Sequence, residues 1–151
     1  MPEILEKIIK EKISADHLLY VSMKYTKTCD VMINLLKRWK IMMDIAFDGL
    51  LEISKKRKII KSVPEAPKLK LDALREVFSK NREVLDAISE YEVFKQIDVL
   101  PKIRENEFRK GVCLRVNYKG EEIAINLDKL KEYSEILERF INFIKLYIKE
   151  K

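Results

Sequence analysis

The chain has 151 residues, 47% hydrophobic and 37% charged, with a net charge of +6 and only three glycines and four prolines. That length fits one domain, which hides about two-thirds of the surface its unfolded chain exposes. Plentiful Leu, Ile and Val argue against disorder, and long stretches of Lys and Glu without turn signals favour helix. The predicted class is therefore mainly α: an antiparallel bundle of four to five helices, with one β-hairpin at about 112–126 before the C-terminal helix, in a single domain over 1–151.

Pro2 suits the first turn of a helix and Glu3 its positive end, with Leu5, Ile8 and Ile9 along one side. From Leu18 the spacing turns regular: Leu18, Ser22, Tyr25, Cys29, Met32, Leu36, Trp39, Met43, Ala46, Leu50 and Ile53 follow steps of four and three, a bundle-like seam. One helix from Ser14 to Lys58 would be about 65 Å long. A domain of this size is only about 35–40 Å across. A break is expected at Tyr25-Thr26-Lys27-Thr28, where β-branched residues weaken the helix; the alternative is one long helix that projects, into a dimer.

Ser62-Val-Pro-Glu-Ala-Pro-Lys is a connector, since its two prolines exclude a helix interior. Leu71, Leu74 and Phe78 begin another helical stripe, continued by Leu85, Ile88 and Tyr91 after a restart capped by Ser79 or Asn81. Pro101 closes this region, and Glu105 to Lys110 reads as one more short helical turn. Val112, Leu114, Val116 and Tyr118 then alternate with polar residues. A two-residue loop at Lys119-Gly120 pairs Val116 with Ile123, Leu114 with Ile125 and Val112 with Leu127 on one face. Asn126 or Asp128 caps the last helix, whose seam is Leu130, Tyr133, Leu137, Phe140, Ile144 and Tyr147, widened by Ile136, Ile141, Phe143 and Ile148.

Motifs exclude more than they assign. No glycine-rich phosphate loop and no serine nucleophile elbow is present. Cys29 and Cys113 form no C-x-x-C and are expected to be buried, reduced thiols. Two cysteines and one histidine make no metal cluster without several carboxylates. Asp44 and Asp48 lack the Glu-x-x-His partners of a di-metal bundle. No metal and no cofactor is expected. The opening MPEILEKIIKEK is too charged for a signal peptide, and Lys37, Arg38, Lys40, Asp44 and Asp48 interrupt the longest apolar stretch. A cytoplasmic protein without a membrane partner is expected. The Ile, Lys and Glu content, with Gln96 the sole glutamine, has the bias of a thermophile.

The positive excess is unevenly placed. Ser14 to Lys61 holds ten Lys/Arg against five Asp/Glu, whereas 62–110 holds ten of each. Two clusters stand out. His17, Tyr20, Lys24 and Lys27 form a polar group around the only histidine, suited to phosphate binding or proton transfer, or else a solvated helix face. Lys55, Lys56, Arg57, Lys58 and Lys61 form a basic run that suits a nucleic-acid backbone, or else a helix C-terminus decorated with cations. Trp39, between Arg38 and Lys40, falls on the seam and reads as core.

The segment Ser14-Ala-Asp-His-Leu-Leu-Tyr-Val-Ser-Met-Lys-Tyr-Thr-Lys-Thr-Cys-Asp-Val, followed by a long amphipathic stretch, resembles small uncharacterised archaeal helical proteins. More loosely, about the first 100 residues resemble HEPN helical domains, bundles that are often dimeric and many of which cut RNA. That family carries an Arg four to six residues before a His. Here His17 follows Lys10, Glu11, Lys12 and Ile13, with no Arg. The resemblance thus implies at most a non-catalytic relative, and no catalytic residue carries over. Three functions follow in order: a non-enzymatic binding protein that contacts RNA or another polyanion through its basic N-terminal third; a homodimeric interaction scaffold, from the apolar width of the last helix; and, remotely, an RNase-like enzyme using His17.

Overall fold

The computed structural model describes residues 2–150. Helix α1 (Pro2–His17) runs on through a π-helical turn (Leu18–Ser22) and one last α-turn (Met23–Tyr25). Helices α2 (Cys29–Lys56), α3 (Pro67–Val77) and α4 (Arg82–Phe94) follow. Strands β1 (Lys102–Glu105), β2 (Cys113–Tyr118) and β3 (Glu121–Ile125) precede the last helix, α5 (Leu127–Lys149). The architecture is mainly helical, with a small antiparallel sheet in the order β1-β2-β3.

The break before α2 falls where the sequence places it. Thr28 is extended, and its hydroxyl accepts from the Val31 amide at 3.3 Å, which caps α2. Beyond it the predicted seam is buried at Met32, Leu36, Trp39, Met43, Ala46, Leu50 and Ile53. Before it the seam is different: Tyr25 faces solvent, and Leu19 and Met23 are buried instead. The π-turn is the cause. The buried positions Ala15, Leu19 and Met23 recur every four residues, which in a regular helix drifts by about 40° per step. The wider π-turn absorbs that drift and keeps all three on the core side.

Gly49 marks the close approach of α1 and α2. A Cβ built there would lie 2.8 Å from Ile4 Cγ2. At its far end α2 closes in a Schellman motif: Ile59 N–H donates to Ser54 O at 2.9 Å and Lys58 N–H to Lys55 O at 3.0 Å. Lys58 occupies the left-handed position usually taken by glycine, at φ 61°.

Aromatic contacts hold α5 in the core. Trp39 stacks on Phe94 at 5.8 Å and meets Tyr133 edge-on at 6.3 Å. Phe47 sits between Tyr91 and Phe140, and Phe78 between Phe143 and Tyr147. The six seam residues of α5 are all buried. In the preceding helix the stripe runs through Val84, Ala87, Ile88 and Tyr91, with Leu85 only half-buried. Asn81 stands at the N-cap of α4 without a side-chain capping bond.

The hairpin keeps its predicted register at Val116–Ile123 and Leu114–Ile125. Lys119 and Gly120 both have positive φ, as a two-residue type I′ turn requires. The third predicted pair, Val112 with Leu127, does not form. The strand ends at Ile125, Asn126 accepts from the Lys129 amide at 2.8 Å, and Leu127 already opens α5. The expected helical turn at Glu105 to Lys110 is also absent. Lys102–Glu105 instead pairs with β2 as a third strand, and residues 106–111 form a loop with positive φ at Asn106, Phe108 and Gly111.

Candidate nucleic-acid interface

The nine residues singled out from the sequence divide between two ends of the molecule. His17, Tyr20 and Lys24 are exposed on the outer side of α1 and its extension, and Lys27 stands in the α1–α2 junction, its ammonium on Lys24 O at 2.7 Å. His17 makes no hydrogen bond or ion pair among the described residues, so nothing orients its imidazole. Lys55, Lys56, Arg57, Lys58 and Lys61 lie in and just after the last turn of α2, whose 28 residues span about 42 Å. No single surface carries both groups.

Part of the basic run serves the fold. The Arg57 guanidinium donates to Tyr147 O at 2.7 Å and to Glu150 O, and lies 4.6 Å from the centre of the Tyr147 ring. It satisfies carbonyls at the end of α5, where a cation also suits the helix dipole. Elsewhere in the basic third, Lys37 pairs with Asp98 at 3.0 Å, Arg38 with Glu11 at 3.7 Å and Lys40 with Asp44 at 2.7 Å. Asp98 and Glu11, both from outside the basic third, thus pair with two of its cations.

Two cations without carboxylate partners, Lys24 and Lys27, meet a segment that the sequence does not single out. The loop after β1 folds onto the α1–α2 junction. Phe108 N–H donates to Lys27 O at 2.6 Å, and the Glu107 carboxylate accepts from the Cys29 amide at 3.0 Å. Arg104 ties the same corner together through Asp30 at 2.7 Å and Glu107 at 3.6 Å. The Cys29 amide and the nearby Arg104 hold the Glu107 carboxyl below its ordinary range.

This loop holds Phe108 in a strained way. At φ 65° a bulky side chain is a steric outlier, worth about 1–3 kcal/mol of strain. Phe108 gains no burial in return, being 73% exposed. Tyr25, two residues before Lys27, is 78% exposed. Lys24 sits 5.8 Å from the centre of the Tyr25 ring. Arg109 and Lys110 follow Phe108 and are exposed. None of Lys24, Lys27, Arg109 and Lys110 pairs with a carboxylate among the described residues.

Beside this corner opens a cleft of about 480 Å³. Met23, Val112 and Leu127 wall it, and Lys27, Lys110, Asn126 and Asp128 supply its polar groups. The lone signal available in the sequence was Phe108 itself, an aromatic in the polar run Glu-Asn-Glu-Phe-Arg-Lys-Gly.

Other groups are closed networks. Cys29 and Cys113 are free and buried, and the Cys29 thiol lies 3.4 Å from Cys113 O. Burial, with Glu107 accepting from it, pushes the Cys29 thiol up to about 12, and burial raises Cys113 as well. Neither forms a thiolate readily near neutral pH. A second cleft, of about 320 Å³, lies beside Asp44 and Asp48. Tyr91 donates to Asp44 at 2.5 Å, and Lys70 pairs with Asp48 at 2.9 Å. Burial and Asp44 raise Tyr91 well above an ordinary phenol. No group of three or more His, Cys, Asp or Glu is placed to hold a metal among the described residues, and none of their helices is long and apolar enough to cross a membrane. Of the residues that widen the apolar face of α5, Ile141 is buried, whereas Ile136, Phe143 and Ile148 are half-buried, with Phe143 meeting Phe78 edge-on at 5.7 Å. No known protein family, curated protein or solved structure matches the chain.

Proposed function

We propose that this chain is a non-enzymatic binding protein for single-stranded RNA, held at the corner where the α1–α2 junction meets the loop after β1. One observation carries the reading. Two water-facing aromatics, Tyr25 and Phe108, stand on segments joined by a backbone hydrogen bond, accompanied by four cations with no carboxylate partner. Proteins that hold single strands combine these elements, with aromatic faces for the bases and cations for the phosphates. The strain at Phe108 supports the same reading, because a folded chain gains nothing visible from an exposed aromatic in a left-handed conformation.

The reading narrows the basic third to its junction end and leaves the run at Lys55 to Lys61 outside the contact. Fluorescence anisotropy with a labelled single-stranded RNA, titrated with salt, tests it. Binding should weaken linearly on logarithmic axes as counterions compete. A double variant, Lys27→Ala with Lys110→Ala, should flatten that slope. No binding at low salt would end the proposal.

A further inference from the structure

The cleft lined by Lys27 and Lys110 has a polarity that a phosphate site alone does not explain. Lys27 and Lys110 suit an anion, yet Asp128, exposed in the first turn of α5, lines the same cleft and has no hydrogen-bond or ion-pair partner among the described residues. A carboxylate there repels a phosphate but suits a group offering N–H donors. Met23, Val112 and Leu127, which also line it, are apolar and suit the flat face of a ring. The second polar group has a defined direction. Asn126 uses its oxygen to accept from the Lys129 amide at 2.8 Å, so its amide nitrogen remains as a donor. The lining thus includes a two-oxygen acceptor, a side-chain amide donor, apolar side chains and two cations.

We infer that this cleft takes one unstacked guanine from the bound strand. This rests on the RNA reading above and names the base that the same site selects. Guanine alone among the four RNA bases presents two adjacent donors, N1–H and N2–H, which match the two oxygens of Asp128. Its O6 accepts from the free amide of Asn126. Adenine and cytosine offer a single exocyclic amine beside a ring acceptor, which would face the carboxylate unfavourably. Uracil offers one N–H flanked by carbonyl oxygens that would repel it. Recognition of splayed bases by their Watson–Crick edges is the usual way that single strands are read. The ring volume fits easily in a cleft of about 480 Å³.

The experiment is anisotropy on the full chain with three labelled RNA pentamers, UUGUU, UUAUU and UUIUU, where inosine lacks only the N2 amine. The guanine pentamer should bind at least about tenfold tighter than the adenine one, with inosine between them. Asp128→Asn should bring the guanine-to-adenine ratio within about twofold, and Asp128→Glu should retain part of the preference. Equal affinity of wild-type protein for all three pentamers, with binding still salt-dependent, would overturn the guanine assignment and leave the RNA reading standing. A preference that survives Asp128→Asn unchanged would also overturn it. No binding of any pentamer at low salt would overturn the RNA reading itself.

Discussion

Glu107 caps a helix 78 residues earlier in the chain: its carboxylate accepts from the Cys29 amide at 3.0 Å, where α2 begins. This contact and the Phe108–Lys27 backbone bond make the loop after β1 part of the α1–α2 junction. The titration of Glu107 should therefore be visible in stability. Its folded carboxyl is held below the ordinary value, so its contribution is present above the unfolded pKa of about 4.3 and lost as pH falls through the folded value. Glu90, raised by burial, has the opposite sign and relaxes in acid. Urea unfolding at about pH 6.5 and about pH 3.5 is expected to show a smaller acid loss in Glu107→Gln than in the wild type, with the two proteins converging at the lower pH. An identical acid loss would show that Glu107 does not hold the corner.

Phe108→Gly separates fold from function. Glycine adopts φ 65° without the Cβ clash, so the variant should unfold no more easily than wild type and gain up to about 1 kcal/mol. The same change removes an exposed stacking face, and RNA affinity should fall about tenfold, in line with about 1–3 kcal/mol per stacked base. Thermal melts and anisotropy on one preparation check both halves. A variant that loses stability but keeps its affinity would reverse the assignment.

Gly49→Ala sets helix propensity against packing. Alanine gains about 1 kcal/mol in a helix interior, whereas overpacking costs about 1–3 kcal/mol. With Ile4 Cγ2 only 2.8 Å from the new Cβ, the clash should win and stability should drop. In an Ile4→Ala background the same substitution should become stabilising. Denaturant midpoints of the four proteins in this double-mutant cycle give the answer.

The basic run should divide by role. Arg57→Ala removes the guanidinium from the carbonyls of Tyr147 and Glu150 and should cost about 2 kcal/mol. Lys58→Gly relieves a left-handed lysine and should stabilise by about 1 kcal/mol. Combining Lys55→Ala, Lys58→Gly and Lys61→Ala should leave RNA affinity within about twofold once the lost long-range charge is screened by salt. Calorimetric melts and anisotropy at moderate salt read these outcomes.

What could be read from the sequence was whatever repeats. The seams of α2 and α5 repeat every three or four residues over many turns, and the β2–β3 register is fixed by alternation around Lys119-Gly120. The features that escaped lack a period. Lys-Ile-Arg-Glu of β1 is four residues long with one apolar side chain, and that one, Ile103, faces solvent. The spacing places Tyr25 on the seam, because a π-turn leaves no mark in residue spacing. The candidate site escaped for a related reason. Lys24 and Lys27 are visible as cations, but Phe108, Arg109 and Lys110 reach them only through the docking of a loop far downstream, and Asp128 joins Lys27 at the cleft from the first turn of α5. Charge along the chain likewise shows Lys37 and Arg38 without Asp98 and Glu11, which pair with them only in the fold.

The most direct measurement is hydrogen–deuterium exchange of the full chain with and without a single-stranded RNA pentamer at low salt. Protection should concentrate at residues 24–29, 106–112 and 126–129, with none at 55–61. Protection centred on 55–61, with the junction unchanged, would contradict the account.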